Sequence, residues 1–393
     1  MKRILSLLLA AMLLLLCACG GGSAGTSPAA SADGPSPDAA QTDAAPSRDL
    51  AGLRYESSME LRYATEFAVD YYEGGYKLLS VADGNRYLVV PEGAEPPAGL
   101  DGDIRVLRQP LKNVYLAATA AMALFDALDS LDVITLSGTQ ADGWTVENAA
   151  AAMEAGDMIY AGKYSEPDYE MLVESGCDLA IESTMILHTP KVQEMIERLG
   201  IPVFIEHSSY EDHPLGRTEW IRLYGAMLNK EAEAEAFFDT QAEVIDELRD
   251  FPNTEKTVAF FYINSAGKAV VRTSDDYIAR MIEIAGGRYV FSDLTQDSAL
   301  SSVSLGMEEF YAAALDADYL IYNAAIDSPV TTMEEFLSKS PLLADFRAVR
   351  EGNVWCTDKT LYQATDIVGS LITDIHAMLA GSTDDQTFIK RLE

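Results

Sequence analysis

The stretch ERLGIPVFIE, residues 197–206, runs from the end of a helix into a buried strand. Gly200 stands where a glycine commonly ends a helix. Pro202 prevents the helix from continuing, and the apolar run after it is typical of a strand that is covered on both faces. A helix that leads directly into such a strand indicates a mostly parallel sheet with helices on both sides.

The same alternation recurs on both sides of this stretch. In the first half, strands are predicted at 113–116, 133–136, 158–160, 179–182 and 203–206, separated by helices at 119–128, 146–155, 168–175 and 191–199. In the second half, strands are predicted at 257–263, 269–271, 319–322 and 354–356, and helices at 277–285, 307–315, 333–339 and 366–379. Helices at 218–228 and 230–249 separate the halves, and the latter spans about 30 Å.

The sequence therefore predicts an α/β protein with two lobes of mostly parallel sheet joined by one long backbone helix. Short strands and glycine turns at 61–94 add a small antiparallel β preface. The predicted domains are a lipoprotein signal peptide (1–18), a lipidated cysteine with a disordered tether (19–50), the preface (51–102), the N-terminal lobe (103–229), the connecting helix (230–250) and the C-terminal lobe (251–393).

The N-terminus has the pattern of an export signal, with Lys2 and Arg3 before an apolar run. Its end, Leu16-Cys17-Ala18-Cys19, resembles a bacterial lipobox, which predicts a lipid on Cys19 and an anchor on the outer face of the cell membrane. The alternative is a plain secretory signal. Residues 20–47 contain no Leu, Ile, Val, Met or aromatic side chain, so a tether with a reach of roughly 30 Å is expected.

Composition excludes some partners. The formal charge is −34, and removal of Lys2 and Arg3 with the signal makes it −36, which argues against binding to nucleic acid. After the signal is removed and Cys19 carries a lipid, only Cys177 and Cys356 remain. One lies in each predicted half, so two buried free thiols are favoured over a disulfide.

Ligands of open parallel sheets bind beyond the carboxyl ends of the strands. The side chains that follow the predicted strands are rich in tyrosine, with one tryptophan and a few cations, which suits a large planar or chelated ligand. The predicted ligand-binding residues are Trp144, Tyr160, Lys163, Tyr164, Glu182, His188, His207, Tyr210, His213, Arg217, Tyr262, Arg272 and Tyr362.

The polar segment FIEHSSYEDHPLGRTEW, residues 204–220, allows several interpretations. Its Ser, His and Asp side chains include all members of a hydrolytic triad, but no Gly-x-Ser-x-Gly turn occurs and neighbours in a loop point in different directions. With His188, its two histidines suit zinc or manganese. A structural interpretation has Thr218 capping the next helix. Arg217 opposes the dipole of that helix, which favours a role in holding negative charge.

Two lobes, a connecting helix and a lipobox resemble the helical-backbone substrate-binding proteins of ABC importers, which handle ferric siderophores, haem and vitamin B12. The resemblance covers roughly residues 103–393 and rests on three recurring segments, LGIPVFIE, SGCDLAIEST and AVREGNVWCTD. The preface segment YATEFAVDYYEGGYKLLSV is similar to that of iron-complex binding proteins of Gram-positive bacteria.

The resemblance implies a monomeric, extracytoplasmic binding protein without enzymatic activity, cofactor or resident metal. It implies delivery of an iron complex to an ABC permease with its ATPase, and docking on the permease through Glu170 and through Glu308 or Glu309. The structural alternative for these acids is stabilisation of helix N-termini. Functional alternatives are direct zinc or manganese binding and a sensor or adhesion lipoprotein of the same fold.

Overall fold

The computed structural model of the protein describes residues 48–248, 251–295, 301–327, 330–382 and 386–393. The predicted signal peptide, Cys19 and the tether up to Ser47 lie outside the described residues, as does the predicted end of the connecting helix at 249–250. Within the ranges described, no helix is both long and apolar enough to cross a membrane.

A five-stranded sheet forms the preface. Its strands, in spatial order, are β1 (Tyr55–Ser58), β2 (Phe67–Tyr72), β3 (Tyr76–Val81), β4 (Arg86–Val90) and β5 (Ile104–Arg108). The four strands within residues 55–90 are antiparallel, as predicted for the segment 61–94, whereas β5, which lies beyond the predicted preface, runs parallel to β4. A parallel connection needs about a dozen residues, which 91–103 supply. The sheet thus continues past residue 102.

The N-terminal lobe contains a parallel sheet with the strand order β12-β11-β6-β7-β8, as the alternating pattern predicts. A short antiparallel hairpin, β9 and β10, lies outside this sheet. In chain order, the elements of the lobe are β6 (Val114–Leu116), α1 (Thr119–Ala127), β7 (Ile134–Ser137), α2 (Glu147–Ala155), β8 (Ile159–Tyr160), β9 (Gly162–Lys163), β10 (Glu166–Pro167), α3 (Tyr169–Glu174), β11 (Leu179–Ser183), α4 (Pro190–Arg198) and β12 (Val203–Glu206).

The stretch 197–206 behaves as its residues predict. Helix α4 ends at Arg198, and Gly200 takes a φ of 82°, which a residue with a side chain rarely adopts. All four residues of β12 are buried, as expected for a strand covered on both faces.

Helix α5 (Pro214–Leu228) begins four residues earlier than predicted. The proline takes the first helical position, where its missing N–H costs nothing, and the side chain of His213 caps the helix by accepting from the N–H of Leu215. The prediction that Thr218 caps this helix is therefore wrong. Thr218 is buried inside it, and its hydroxyl donates to the carbonyl of Thr365 in the C-terminal lobe at 2.8 Å.

Helix α6 (Glu231–Leu248) is the predicted connecting helix, and it leads into the C-terminal lobe. There β13, β17 and β18 form a parallel centre, with β14, β16 and β19 antiparallel around it and β15 beside the start of β13. The elements are β13 (Thr257–Ile263), β14 (Ala269–Arg272), α7 (Tyr277–Ile284), β15 (Arg288–Tyr289), β16 (Ser302–Leu305), α8 (Met307–Ala314), β17 (Tyr319–Tyr322), α9 (Met333–Lys339), α10 (Arg347–Glu351), β18 (Val354–Thr357), α11 (Val368–Leu379) and β19 (Ile389–Arg391).

The preface and the N-terminal lobe share one hydrophobic core. Phe67 of β2 packs against Trp220 of α5, and Tyr87 of β4 packs against Phe204 of β12. The Tyr87 hydroxyl also donates to the carbonyl of Val203 at 2.8 Å. The preface is therefore an integral part of this half of the molecule. Cys177 of the N-terminal lobe and Cys356 of the C-terminal lobe are buried free thiols, as predicted.

Candidate functional site

Two buried carboxylates join the preface to the polar segment 204–220. Glu219 accepts hydrogen bonds from the backbone N–H groups of residues 62–64 at 2.8–3.2 Å. Glu211 accepts from those of residues 65 and 66 at 2.7 and 3.1 Å, and from the indole of Trp220 at 2.8 Å. Consecutive N–H groups directed at a carboxylate make strong, charge-assisted bonds. Much of the polar character of this segment thus serves attachment of the preface.

His207 also faces the preface. Its Nε2 lies 3.4 Å from Asp83 Oδ2, and its Nδ1 lies 3.7 Å from Glu66 Oε2. Burial opposes the charged ring, but the two carboxylates outweigh it and raise the pKa of His207. The outer face of the imidazole packs near Tyr210, with ring centroids 5.4 Å apart.

His213 stacks on Tyr63 of the preface, with ring centroids 4.4 Å apart. Burial, with Arg280 nearby, lowers the pKa of His213 to about 4, so its ring is neutral at pH 7. His188 is exposed at the end of a short 3₁₀ helix. The three histidines thus have separate surroundings, and among the residues described no group of three or more His, Cys, Asp or Glu is arranged to hold a metal ion.

Replacing His213 by asparagine is expected to flatten the pH dependence of stability. A histidine of the unfolded chain takes up its proton near pH ~6.5, whereas folded His213 does so only near pH 4, so the wild type loses stability as pH falls through this window. Asparagine keeps a capping acceptor without the titration. Thermal unfolding at pH 7, 6 and 5 should show a smaller fall in Tm for His213→Asn, and equal falls would contradict the assignment.

Arg217 carries charge into the space between the lobes. It is 5% exposed near the start of α5, and its guanidinium carbon lies 4.0 Å from the centroid of the Tyr277 ring in the C-terminal lobe. In the described ranges it forms no hydrogen bond or ion pair, and its Nε is buried without a partner. A buried guanidinium that makes no hydrogen bond or ion pair is costly, so this arginine is suited to receive negative charge.

Arg272, at the end of β14, supplies a second cation from the opposite lobe. It donates to Tyr362 Oη, to Ser301 Oγ at 3.1 Å and to Asp276 Oδ2 at 3.4 Å. Its guanidinium carbon lies 5.1 Å from the centroid of the Tyr362 ring, whose hydroxyl also accepts from Asn323 Nδ2 at 2.7 Å. Three of the predicted ligand residues, Arg217, Arg272 and Tyr362, therefore belong to one inter-lobe cluster that is completed by Tyr277, Asp276 and Asn323.

Two buried acids accompany the arginines of this cluster. Glu206, which accepts from the N–H of Ser208 at 2.8 Å, interacts with Arg217, and Asp276 interacts with both arginines. Burial raises the pKa of both carboxyls, although the arginines oppose the shift. Of the two arginines, only Arg272 forms an ion pair with one of these acids in the described residues, through Asp276 at 3.4 Å.

A second connection between the lobes lies next to Tyr362. The side chain of Gln363 accepts from Thr145 N at 2.8 Å and from Thr145 Oγ1 at 2.9 Å, and it donates to the carbonyl of Gly143 at 2.8 Å. Between these two residues lies Trp144, whose indole N–H donates to Ser137 Oγ at 3.1 Å. The loop with Trp144 and the segment with Tyr362 are thus held together across the cleft.

The remaining predicted residues lie outside this cluster. Glu182 is fully buried near the end of β11, its oxygens accept no hydrogen bond from the residues that the structure describes, and burial raises its pKa to about 8. Four others are exposed, namely Tyr160, Lys163, His188 and Tyr210. Two are half-buried, namely Tyr164 and Tyr262. Glu170 and Glu308 are exposed in the first turns of α3 and α8.

Sequence reasoning missed Tyr277, Asp276, Gln363 and Thr145. Asp276 and Tyr277 stand only four and five residues beyond the end of β14, and Asp276 caps α7 by accepting from the N–H of Ile278 at 2.9 Å. A wider search after that strand would have included them. No local pattern identifies the pair of Thr145 and Gln363, because these residues are 218 positions apart.

Comparison with known proteins shows which family has this architecture. The family model described as periplasmic binding protein matches residues 120–361. An uncharacterized lipoprotein of Methanocaldococcus jannaschii, MJ0878, is 26% identical over 355 residues, which cover 82% of this chain and 81% of that protein.

Solved structures have the same fold. The petrobactin-binding protein YclQ of Bacillus subtilis superposes with a TM-score of 0.57 at 14% identity, covering 78% of this chain and 99% of that one. A periplasmic heme-binding protein of Pseudomonas aeruginosa gives 0.55 at 15% identity, covering 72% and 98%. The family model spans more than half of the chain, and it describes proteins that bind solutes for ABC importers and catalyse no reaction. The chain therefore belongs to the periplasmic binding protein family.

Proposed function

We propose that this protein captures an anionic iron complex, a ferric siderophore or else haem or a corrinoid, in the cleft between its lobes and delivers it to an ABC permease. The observation that carries the proposal is Arg217, a buried guanidinium that lies against Tyr277 of the opposite lobe and makes no hydrogen bond or ion pair in the part of the chain that the structure describes. In a chain of net charge −34, a buried cation at the cleft favours capture of a specific anion.

The chemistry of the cluster supports this ligand class. Arg217 and Arg272 come from different lobes, so an anion between them would neutralise both and bridge the lobes. Tyr277 and Tyr362 supply aromatic faces for the bulk of a chelate or macrocycle. Two proteins of the same fold are described as binding petrobactin and heme, respectively.

The test is a binding screen on the purified chain from residue 48 onward. Thermal shift and titration would be measured with ferric siderophores of the catecholate and hydroxamate types, haemin, cobalamin, and zinc and manganese ions. We expect at least one iron complex or tetrapyrrole to bind with micromolar or tighter affinity. Binding of zinc or manganese alone would show that the ligand is a bare metal ion and not an iron complex. The absence of a response to any iron complex or tetrapyrrole would reject the proposal.

We further propose that Cys19 carries a lipid that holds the monomeric protein on the outer face of the membrane. Support comes from the Leu16–Cys19 pattern and from the name lipoprotein given to the relative MJ0878. In cells that express the full chain, Cys19→Ala should move the protein from the membrane fraction to the medium or periplasm. Retention of the variant in washed membranes would contradict this anchor.

Docking on the permease is proposed to use Glu170 and Glu308, one on each lobe. Both carboxylates are exposed at helix N-termini, and neither forms an ion pair within the residues that the structure describes. The double substitution Glu170→Lys and Glu308→Lys should lower uptake at least about tenfold while leaving ligand affinity unchanged, because reversed charges repel a cationic docking pocket. A matched control reverses two exposed acids elsewhere, Glu154 and Glu351. Normal uptake by the first variant would exclude this docking mode.

A further inference from the structure

The Gln363 amide makes a three-bond contact with the N-terminal lobe. Its oxygen accepts twice from Thr145, and its nitrogen donates to Gly143. The two halves of one amide thus satisfy donors and an acceptor of a single loop. Only an amide side chain of this length offers both functions at once, so neither Glu nor Leu can replace it in kind.

The contact joins the two ligand-facing segments of the cleft. On one side, the bonded loop carries Trp144, which is 6% exposed and fixed by its bond to Ser137. On the other side, Gln363 directly follows Tyr362, whose hydroxyl is held by Arg272 and Asn323. Moving Gln363 away from the loop would therefore move Tyr362 and Trp144 apart.

Several other contacts between the lobes involve α5, and Gln241 of α6 accepts from the N–H of Gly369 in α11 at 3.1 Å. Arg217 contacts Tyr277 of α7, and the Thr218 hydroxyl donates to Thr365. These contacts and the connecting helix α6 hold the lobes at α5, whereas the Gln363 contact holds them at the loop after β7. The Gln363 contact therefore lies at a different place from these attachments, and it acts directly on the spacing between the loop after β7 and the C-terminal lobe.

We propose that Gln363 is a positioning residue of the ligand site, which clasps the Gly143–Thr145 loop to the segment of Tyr362 and so sets the width of the cleft. This inference rests on the proposed function for its effect on ligand, but the clasp itself is independent of ligand identity. The clasp consists of neutral hydrogen bonds, so its strength does not depend on salt or on pH near neutrality.

The first arm of the test needs no ligand. Small-angle scattering of the chain from residue 48 onward would compare the wild type with Gln363→Ala and with Thr145→Val, which removes one bond from the opposite lobe. Gln193→Ala is the matched control, because Gln193 is a half-buried glutamine of α4 that bonds to Glu197 on its own helix and not to the opposite lobe. We expect a larger radius of gyration for Gln363→Ala, a smaller increase for Thr145→Val and none for the control. Scattering curves identical to that of the wild type for both clasp variants would overturn the clasp.

The second arm measures ligand exchange with haemin and with a ferric hydroxamate siderophore. If the wild type binds either probe, Gln363→Ala should raise the dissociation rate about tenfold with a smaller change in the association rate. Unchanged dissociation would overturn the positioning role. If the wild type binds neither probe nor any other iron complex, the proposed function fails, and the scattering arm still decides whether Gln363 holds the lobes together.

Discussion

Replacing Arg217 by methionine is expected to weaken ligand binding by about a hundredfold or more without lowering the thermal stability of the ligand-free protein. The guanidinium is buried and has no ion pair in the described residues, so in the free protein it is a cost that methionine relieves. In the complex the same group would meet the negative charge of the ligand, and loss of one partner of such a buried pair costs about 2–5 kcal/mol. Titration and thermal unfolding of the same preparations measure the two effects.

Arg198→Met is the control for this experiment. Arg198 lies in the last turn of α4, its side chain is 68% exposed, and its one ion pair among the described residues is with Glu194 on the same helix. It should change neither affinity nor stability by a measurable amount. A variant of Arg217 that unfolds at a much lower temperature would mean that the guanidinium stabilises the free protein. Full affinity in that variant would remove Arg217 from the ligand site.

Most of the fold could be predicted from the sequence, because the residues that begin and end its helices and strands act locally. Gly200 and Pro202 separate α4 from β12 through their own backbone preferences. Similar turn residues lie next to the other strands. The start of α5 was harder to predict, since Pro214 and the His213 cap compete with Thr218 as signals. The direction of β5 depends on which neighbour it pairs with, and the sequence of a single strand does not contain that information.

The candidate ligand site is harder to predict, because its residues come from segments that are far apart in the sequence. Arg217 stands out in the sequence because a cation near a helix start opposes the dipole, and the structure places it in the inter-lobe cluster. His207 and His213 have equally conspicuous side chains, but they contact Asp83 and Tyr63 of the preface. The direction in which a loop side chain points is decided by packing against the rest of the protein, which a local stretch of sequence does not show.

Replacing Glu219 by alanine is expected to destabilise the joint between the preface and the N-terminal lobe by about 3–5 kcal/mol, which is the largest stability effect we predict for a single side chain. The carboxylate is fully buried and accepts from three consecutive backbone N–H groups at 62–64. It also accepts from Arg222 at 2.9 Å. Without it, these donors lose their acceptor, and a donor that stays buried and unpaired, such as the N–H of Ala64, costs about 1–3 kcal/mol.

Thermal unfolding and limited proteolysis separate this effect from a general loss of stability. Glu219→Ala should lower Tm by about 5–10 °C and make the chain near residues 60–66 the first site of cleavage, because the N–H groups of this loop lose their anchor. Glu219→Gln keeps one acceptor oxygen and should lie between the alanine variant and the wild type. Glu233→Ala, at an exposed position of α6, should have no effect. A Tm within about 1 °C of the wild type for Glu219→Ala would show that the preface docks through its apolar core alone, with Phe67 and Tyr87 as the main contacts.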